Sequence, residues 1–251
     1  METRIVPPAT GNNAGQIRYV VIVDNNIHLL FTLAMLLQRF NYHICTVRTG
    51  DEALEMISVA VPALVITALE LPNMSGLDLF HVLRQAPRTK SVPVIAMTGN
   101  GDPDITARCE RTGFAACLQT PVAAEELYRA VQHAVEPKPR SNIRVYTWLP
   151  VTVDHVPLDC GGGECATVLS EYGLYIRTLK PWEPNTVISL ELMLNGRPIA
   201  AEAVVLYRHR FGEGPFGQPG MGLKFLSIDP IDQQEIRQFI RSEITHGLVP
   251  A

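Results

Sequence analysis

Five apolar segments, each followed by an amphipathic one, constrain the fold of this chain more than any other feature. Residues 19–23 form a continuous, largely β-branched run, and leucines recur at helical spacing over residues 27–40. The alternation repeats four more times before residue 135. Such apolar runs are typical of strands buried on both faces of a parallel sheet. The first half is therefore predicted to be a five-stranded parallel α/β domain with helices on both faces.

The carboxyl ends of these predicted strands are where a parallel α/β sheet normally presents its functional groups. The strands are predicted at residues 19–23, 43–47, 63–67, 92–97 and 114–118. The side chains that follow or close the first, third, fourth and fifth strands are Asp24, Asn25, Ala68, Thr98 and Thr120. Only one of these five is a carboxylate, so the predicted sheet edge is poor in charge.

The pattern changes after a proline-rich joint of sequence E-P-K-P-R at residues 136–140. Closely spaced prolines break a helix and stiffen a linker. Residues 145–156 are predicted to be one β-rich segment with Pro150 inside it. Residues 187–194 then alternate apolar and polar side chains, and Asn195-Gly196 is a strong hairpin signal. Residues 232–244 have the apolar spacing of a closing helix. Short antiparallel strands followed by one helix predict a six-stranded barrel with a C-terminal helix.

Composition excludes several classes of protein. A net charge of −4 argues against a generally basic partner of nucleic acid polymers. No stretch reaches the roughly 18 consecutive apolar residues of a membrane-spanning helix, so no membrane insertion is predicted. Residues 1–17 lack the apolar core of a secretion signal and are predicted to be a flexible segment. The five cysteines have no C-x-x-C spacing, which predicts reduced thiols and no metal or cofactor.

The first half resembles a response-regulator receiver domain in the order and spacing of five motifs. They are V-I-V-D-N at residues 21–25, P-A-L-V-I-T at 62–67, L-P-N-M-S-G-L-D-L at 71–79, P-V-I-A-M-T-G at 93–99 and T-G-F-A-A-C-L-Q-T-P at 112–121. The resemblance covers nearly half of the chain. It implies a flavodoxin-like fold.

The residues that perform phosphoryl transfer in that family are largely replaced here. The family's phosphoryl-accepting aspartate falls on Ala68, which has no oxygen to phosphorylate. Its magnesium-holding acidic pair falls on Asp24 and Asn25, and its lysine on Thr120, while Thr98 keeps the family's hydroxyl. The loss of carboxylates weakens a site for a hard cation. The resemblance therefore implies a pseudo-receiver that is not phosphorylated at the usual position and serves for protein docking.

The second half, roughly residues 139–245, resembles a PilZ domain. R-S-N-I-R at residues 140–144 matches the family's R-x-x-x-R at the domain entrance. V-L-S-E-Y-G at residues 168–173 matches its [D/N]-x-S-x-x-G motif except at the first position, and G-M-G-L-K-F at 220–225 is similar to its late strand. The combination is more specific than any one of the three motifs alone.

The PilZ resemblance implies binding of cyclic diguanylate, a bacterial second messenger with two phosphates and two guanines. The planar guanidinium of arginine can bind a phosphate, or guanine O6 and N7, with two parallel hydrogen bonds. Arg140 and Arg144 are therefore candidate ligand contacts. Ser170 can donate or accept a hydrogen bond. Gly173 permits a positive φ or a close approach of ligand to backbone.

Val168 is the departure from the family pattern, which has Asp or Asn at this position to meet guanine edges. A buried donor left unsatisfied costs roughly 1–3 kcal/mol, or about 5- to 150-fold in affinity. Binding is therefore predicted to be weak or lost, unless Asp159 or Glu171 supplies the polar contact. Alternatively, the two arginines are a solvated basic segment, and Ser170 and Gly173 only a strand-turn pair.

The sequence thus predicts a cytoplasmic bacterial signalling adaptor in four parts. These are a flexible segment (1–17), a receiver-like domain (18–135), a linker with the R-x-x-x-R motif (136–144) and a PilZ-like barrel (145–251). The predicted partners are cyclic diguanylate and proteins of motility or pilus machinery, and the receiver resemblance allows a homodimer. The alternative is a ligand-independent interaction adaptor in which neither motif functions. No enzyme activity is predicted, because Ser170 has no histidine motif nearby and no phosphate-binding loop occurs.

Overall fold

The computed structural model describes residues 19–40, 42–99, 103–140, 142–213 and 217–246. The predicted flexible segment, residues 1–17, lies outside these ranges. The chain divides between residues 141 and 142 into two compact units, each with its own sheet. This division lies inside the segment predicted to be the linker, residues 136–144.

The first unit is a parallel sheet of five strands in the order β2-β1-β3-β4-β5. The strands are β1 Tyr19–Val23, β2 His43–Val47, β3 Leu64–Ala68, β4 Val94–Thr98 and β5 Ala116–Gln119. The helices are α1 Ile27–Arg39, α2 Gly50–Val59, α3 Gly76–Gln85, α4 Pro103–Thr112 and α5 Ala124–Val135. The central strands β1, β3 and β4 are almost wholly buried, which explains their continuous apolar runs. The predicted flavodoxin-like architecture is confirmed.

The second unit is an antiparallel sheet of eight strands in the order β6-β9-β10-β13-β12-β11-β7-β8. The strands are β6 Arg144–Leu149, β7 Val151–Val153, β8 Val156–Pro157, β9 Cys165–Ser170, β10 Gly173–Arg177, β11 Val187–Leu194, β12 Arg197–His209 and β13 Gly220–Ile228. Helix α6, Pro230–Thr245, follows the last strand. The curled sheet and its helix confirm the predicted PilZ-like barrel.

The described part of the barrel has eight strands where six were predicted, and local backbone chemistry explains the difference. Pro150 has no N–H for a ladder and separates β6, which pairs with β9, from β7, which pairs with β11. Asp154 and His155 both have positive φ and turn the chain into the short strand β8. The predicted single β-rich segment, residues 145–156, therefore becomes three strands.

One register row defines the inner face of the barrel. Val145, Leu169, Leu174, Leu223 and Val205 lie opposite one another on β6, β9, β10, β13 and β12, and all are buried. Since side chains alternate along a strand, the residues on either side of this row face outward.

Among the described residues, no helix is long and apolar enough to cross a membrane.

Candidate ligand-binding site

The predicted PilZ site residues of the barrel lie in one outward-facing row. Arg144 on β6 lies opposite Ser170 on β9, Ser170 lies opposite Gly173 on β10, and Gly173 lies opposite Lys224 on β13. The sheet register therefore brings together two cations, a hydroxyl and a glycine across four strands. Arg144, Ser170 and Gly173 were expected here, whereas Lys224 was not identified as a site residue from sequence.

The guanidinium of Arg144 is available for a ligand. Within the described ranges, Arg144 forms no ion pair or side-chain hydrogen bond, and it is only half-buried. Two other arginines of the barrel are ion-paired instead: Arg197 pairs with Asp232 at 2.7 Å, and Arg208 pairs with Glu183. Arg144 lines a cleft of about 50 Å³ together with Ser170 and Gly173. An unpaired fork beside a cleft is suited to hold an anion.

Ser170 and Gly173 have local structural roles as well as a place in this row. The Ser170 hydroxyl donates to the Gly173 carbonyl at 2.8 Å, so its oxygen remains able to accept a hydrogen bond. Gly173 does not have the positive φ that was one of its two expected roles. Instead, a Cβ on Gly173 would lie 2.1 Å from the carbonyl oxygen of Leu223. Glycine is therefore required at this position because the backbone of strand β13 comes close to it.

Val168 is buried, with 6% of its surface exposed, and packs against Tyr175 and Tyr146. Both predicted substitutes for a polar group at this position already have partners elsewhere. Asp159 accepts a hydrogen bond from the Gly162 amide at 2.9 Å, and Glu171 is ion-paired to Arg237. The base-reading position of the family is therefore apolar in this chain.

Arg140 belongs to the first unit, whereas Arg144 belongs to the second. The amide of Arg140 donates to the Gln132 side-chain oxygen at 3.2 Å, and Gln132 is buried at the end of α5. The R-x-x-x-R motif thus spans the boundary between the two units in sequence. The role of Arg140 in binding a ligand stays a prediction.

The residues predicted for the receiver site end or follow strands at the carboxyl edge of the parallel sheet. Asp24 follows β1, Ala68 ends β3 and Thr98 ends β4, on three adjacent strands. Thr120 joins them, because its amide donates to the Thr98 carbonyl at 2.9 Å. Asn25 is exposed in the loop before α1. Ala68, at the position predicted to correspond to the family's phosphoryl acceptor, contributes only a methyl group.

Asp24 is 5% exposed and accepts a hydrogen bond of 2.7 Å from the Asn26 amide. Burial raises the pKa of this carboxyl above its usual value, and the hydrogen bond opposes the shift only in part. A raised pKa means that the charged carboxylate destabilises the folded state above that pKa. The penalty is absent at a pH below the unfolded pKa of about 3.9, where both states are protonated.

The Asp24→Asn variant is therefore expected to unfold at a higher temperature than wild type at pH 7. The asparagine oxygen can still accept from the Asn26 amide, while the buried charge is removed. The difference in Tm should shrink as the pH falls towards about 4. Scanning calorimetry at both pH values measures this. A lower Tm for the variant at pH 7 would contradict it.

The two folds and their sites define a two-domain signal-transduction protein, and family comparisons agree. The model of the response regulator receiver domain matches residues 20–132, and the model of the PilZ domain matches residues 138–242. The chain thus has a response regulator receiver domain followed by a PilZ domain. Among the described residues, no group of three or more His, Cys, Asp and Glu side chains could hold a metal ion.

Three similar proteins each match less than half of this chain. The two-component response regulator ORR3 of Oryza sativa subsp. indica is 28% identical over 118 residues, covering 47% of this chain and 90% of the relative. The phosphate regulon transcriptional regulatory protein PhoB of Rhizobium meliloti is 29% identical, covering 45% of this chain and 50% of the relative. A signal receiver domain of an HD domain-containing protein from Pseudomonas fluorescens is 28% identical, covering 48% and 96%, with a TM-score of 0.44.

Proposed function

We propose that this chain is a cytoplasmic bacterial signalling adaptor that binds cyclic diguanylate through Arg140, Arg144, Ser170 and Gly173. The observation that carries the proposal is the unpaired Arg144 guanidinium in the same outward row as Ser170 and Gly173. Arg144 meets a phosphate with two parallel hydrogen bonds, and the Ser170 oxygen accepts from a ribose hydroxyl or a base. Arg140 enters the proposal from the family resemblance.

The shape of the site determines how such a ligand lies. A cleft of about 50 Å³ is too small to enclose a dinucleotide. The ligand therefore lies across the outer face of the sheet, with Arg144 near one end of the row and Lys224 near the other. Its affinity comes from charge-assisted hydrogen bonds more than from enclosure. Titration calorimetry of the full chain with cyclic diguanylate tests the proposal, and no heat of binding at high micromolar ligand would defeat it.

Lys224 is expected to contribute a second phosphate contact. Its side chain is exposed and forms no ion pair within the described ranges. Lys224→Ala should weaken binding of cyclic diguanylate by about tenfold, since one charge-assisted hydrogen bond contributes roughly 1.5–3 kcal/mol. The matched control is Lys180→Ala, which removes an exposed lysine away from the row. Equal affinities for the two variants, measured by calorimetry, would remove Lys224 from the site.

The receiver half is proposed to be a pseudo-receiver that docks other proteins without being phosphorylated. Ala68 offers no acceptor oxygen, and Thr120 replaces the lysine that would stabilise a phosphoryl group. Incubation with acetyl phosphate and Mg²⁺ is expected to leave the mass of the chain unchanged. A stoichiometric gain of one phosphoryl group, seen by mass spectrometry, would refute this. Motility or pilus proteins as partners, and a homodimer, stay predictions.

The second candidate function is an interaction adaptor that binds no nucleotide. The apolar surroundings of Val168 favour it, since the family's polar base contact is missing there. Under this alternative, Arg144 would be a solvated cation and the barrel a second docking surface. Retention of the full chain on a resin that carries cyclic diguanylate, and its release by the free ligand, separates the two functions.

A further inference from the structure

A second outward row on the barrel consists mainly of aromatic residues. Tyr146 on β6, Val168 on β9, Tyr175 on β10, Gly222 on β13 and Tyr207 on β12 lie opposite one another in register. Each of the first four stands two residues along its strand from a member of the Arg144–Lys224 row. Residues two apart on a strand share a face and are roughly 7 Å apart. A ligand phosphate bound at Arg144 therefore brings its base onto this aromatic row.

Glycines on β13 allow the tyrosine rings to lie close to the sheet. A Cβ at Gly222 would be 2.3 Å from Cζ of Tyr207, and one at Gly220 would be 2.7 Å from the Tyr175 hydroxyl. The Tyr175 and Tyr207 ring centroids are 6.4 Å apart with an interplanar angle of 31°. The two rings are therefore tilted neighbours on the same face of the sheet.

The tyrosines of this row differ in their exposure to solvent, and only an exposed ring can contact a ligand. Tyr175 is 5% exposed, and its hydroxyl donates to the Gln218 carbonyl at 3.2 Å. Tyr207 is 40% exposed and lines the cleft beside Arg144. Tyr175 therefore supports the row from within, and Tyr207 is the aromatic residue of the row whose ring is accessible for stacking on a ligand base.

The residues around this stacking face include few groups that distinguish one purine from another. The described side chains that line the cleft contain no carboxylate or amide, and Val168 cannot form a hydrogen bond. Stacking on an aromatic ring tolerates any base, because every base has a π-face. Strong rejection of an analogue requires polar groups that it would leave unpaired. A phosphate contact at Arg144 is the same for both purine dinucleotides and does not discriminate between them.

We infer that this site recognises cyclic purine dinucleotides as a class, with Tyr207 stacking the base, and discriminates guanine from adenine only weakly. The inference rests on the proposed function and names the ligand class of the same site. The cause is that Val168, packed against Tyr146 and Tyr175, stands where the family has a polar residue to contact the base.

Calorimetry with cyclic di-GMP and with cyclic di-AMP tests this inference on the full chain. The two affinities of the wild-type chain are expected to differ by less than about tenfold. Tyr207→Ala should weaken both ligands by about tenfold, whereas the matched Tyr207→Phe, which keeps the ring, should retain both affinities. Val168→Asn should shift the preference towards cyclic di-GMP, because an amide can bond a guanine edge.

The possible results separate this inference from the proposed function. A wild-type preference for cyclic di-GMP above about 100-fold would overturn the inference and leave the proposed function standing. Affinities that are unchanged in Tyr207→Ala would also overturn it. Binding of neither dinucleotide would defeat the proposed function itself. The test does not depend on the folding of the Val168 variant, since the wild-type ratio already decides it.

Discussion

The Arg144→Ala variant should bind cyclic diguanylate about 100-fold more weakly than the wild-type chain. The guanidinium is unpaired within the described ranges and lines the outward cleft with Ser170. Two charge-assisted hydrogen bonds from one planar fork are lost together when this side chain is truncated. Arg144→Lys keeps the charge but not the fork and should lose about tenfold. Titration calorimetry on the full chain gives all three affinities.

The control for this experiment is Arg210→Ala, which removes the same charge from an exposed position just beyond β12. Its affinity should stay close to that of wild type. The thermal stability of Arg144→Ala should also stay unchanged, since no ion pair is broken. If both arginine variants lose affinity equally, the effect comes from overall charge, and Arg144 is not a specific contact.

The Gly173→Ala variant should lose about 3 kcal/mol of unfolding free energy, at the high end of what overpacking costs. Its Cβ would lie 2.1 Å from the Leu223 carbonyl oxygen, so the backbone of β13 must move. Both tryptophans, Trp148 and Trp182, lie in the barrel. Urea denaturation followed by tryptophan fluorescence therefore reports the stability of this unit without interference from the receiver domain.

Gly161→Ala is the matched control, because a Cβ there would be 3.4 Å from Asp159 Oδ1 and the φ of Gly161 is not positive. Its unfolding midpoint should change little. An unchanged midpoint for Gly173→Ala would mean that β10 and β13 tolerate separation at this point. The close approach would then not explain the glycine of the S-x-x-G motif.

Much of the fold could be predicted from the sequence because the patterns that indicate strands and helices lie within short segments. The predicted bounds of β1, β2 and β11 match the structure, since buried runs and strict alternation report a strand directly. The receiver edge was readable for the same reason, because parallel strands bring their carboxyl ends together. The division of residues 145–156 into three strands was missed. It depends on a change of pairing partner at Pro150, and partner choice is not encoded within a short segment.

The order of residues was enough to predict two domains and their folds, which the structure confirms. It was also enough to propose that Ala68 replaces the phosphoryl acceptor and that Arg144, Ser170 and Gly173 act together. Each of these depends on residue type and spacing within one motif. Tertiary structure alone showed that Lys224 extends the cationic row and that Tyr146, Val168, Tyr175 and Tyr207 form one aromatic row. These residues come from strands distant in sequence, and only hydrogen-bond register across the sheet makes them neighbours.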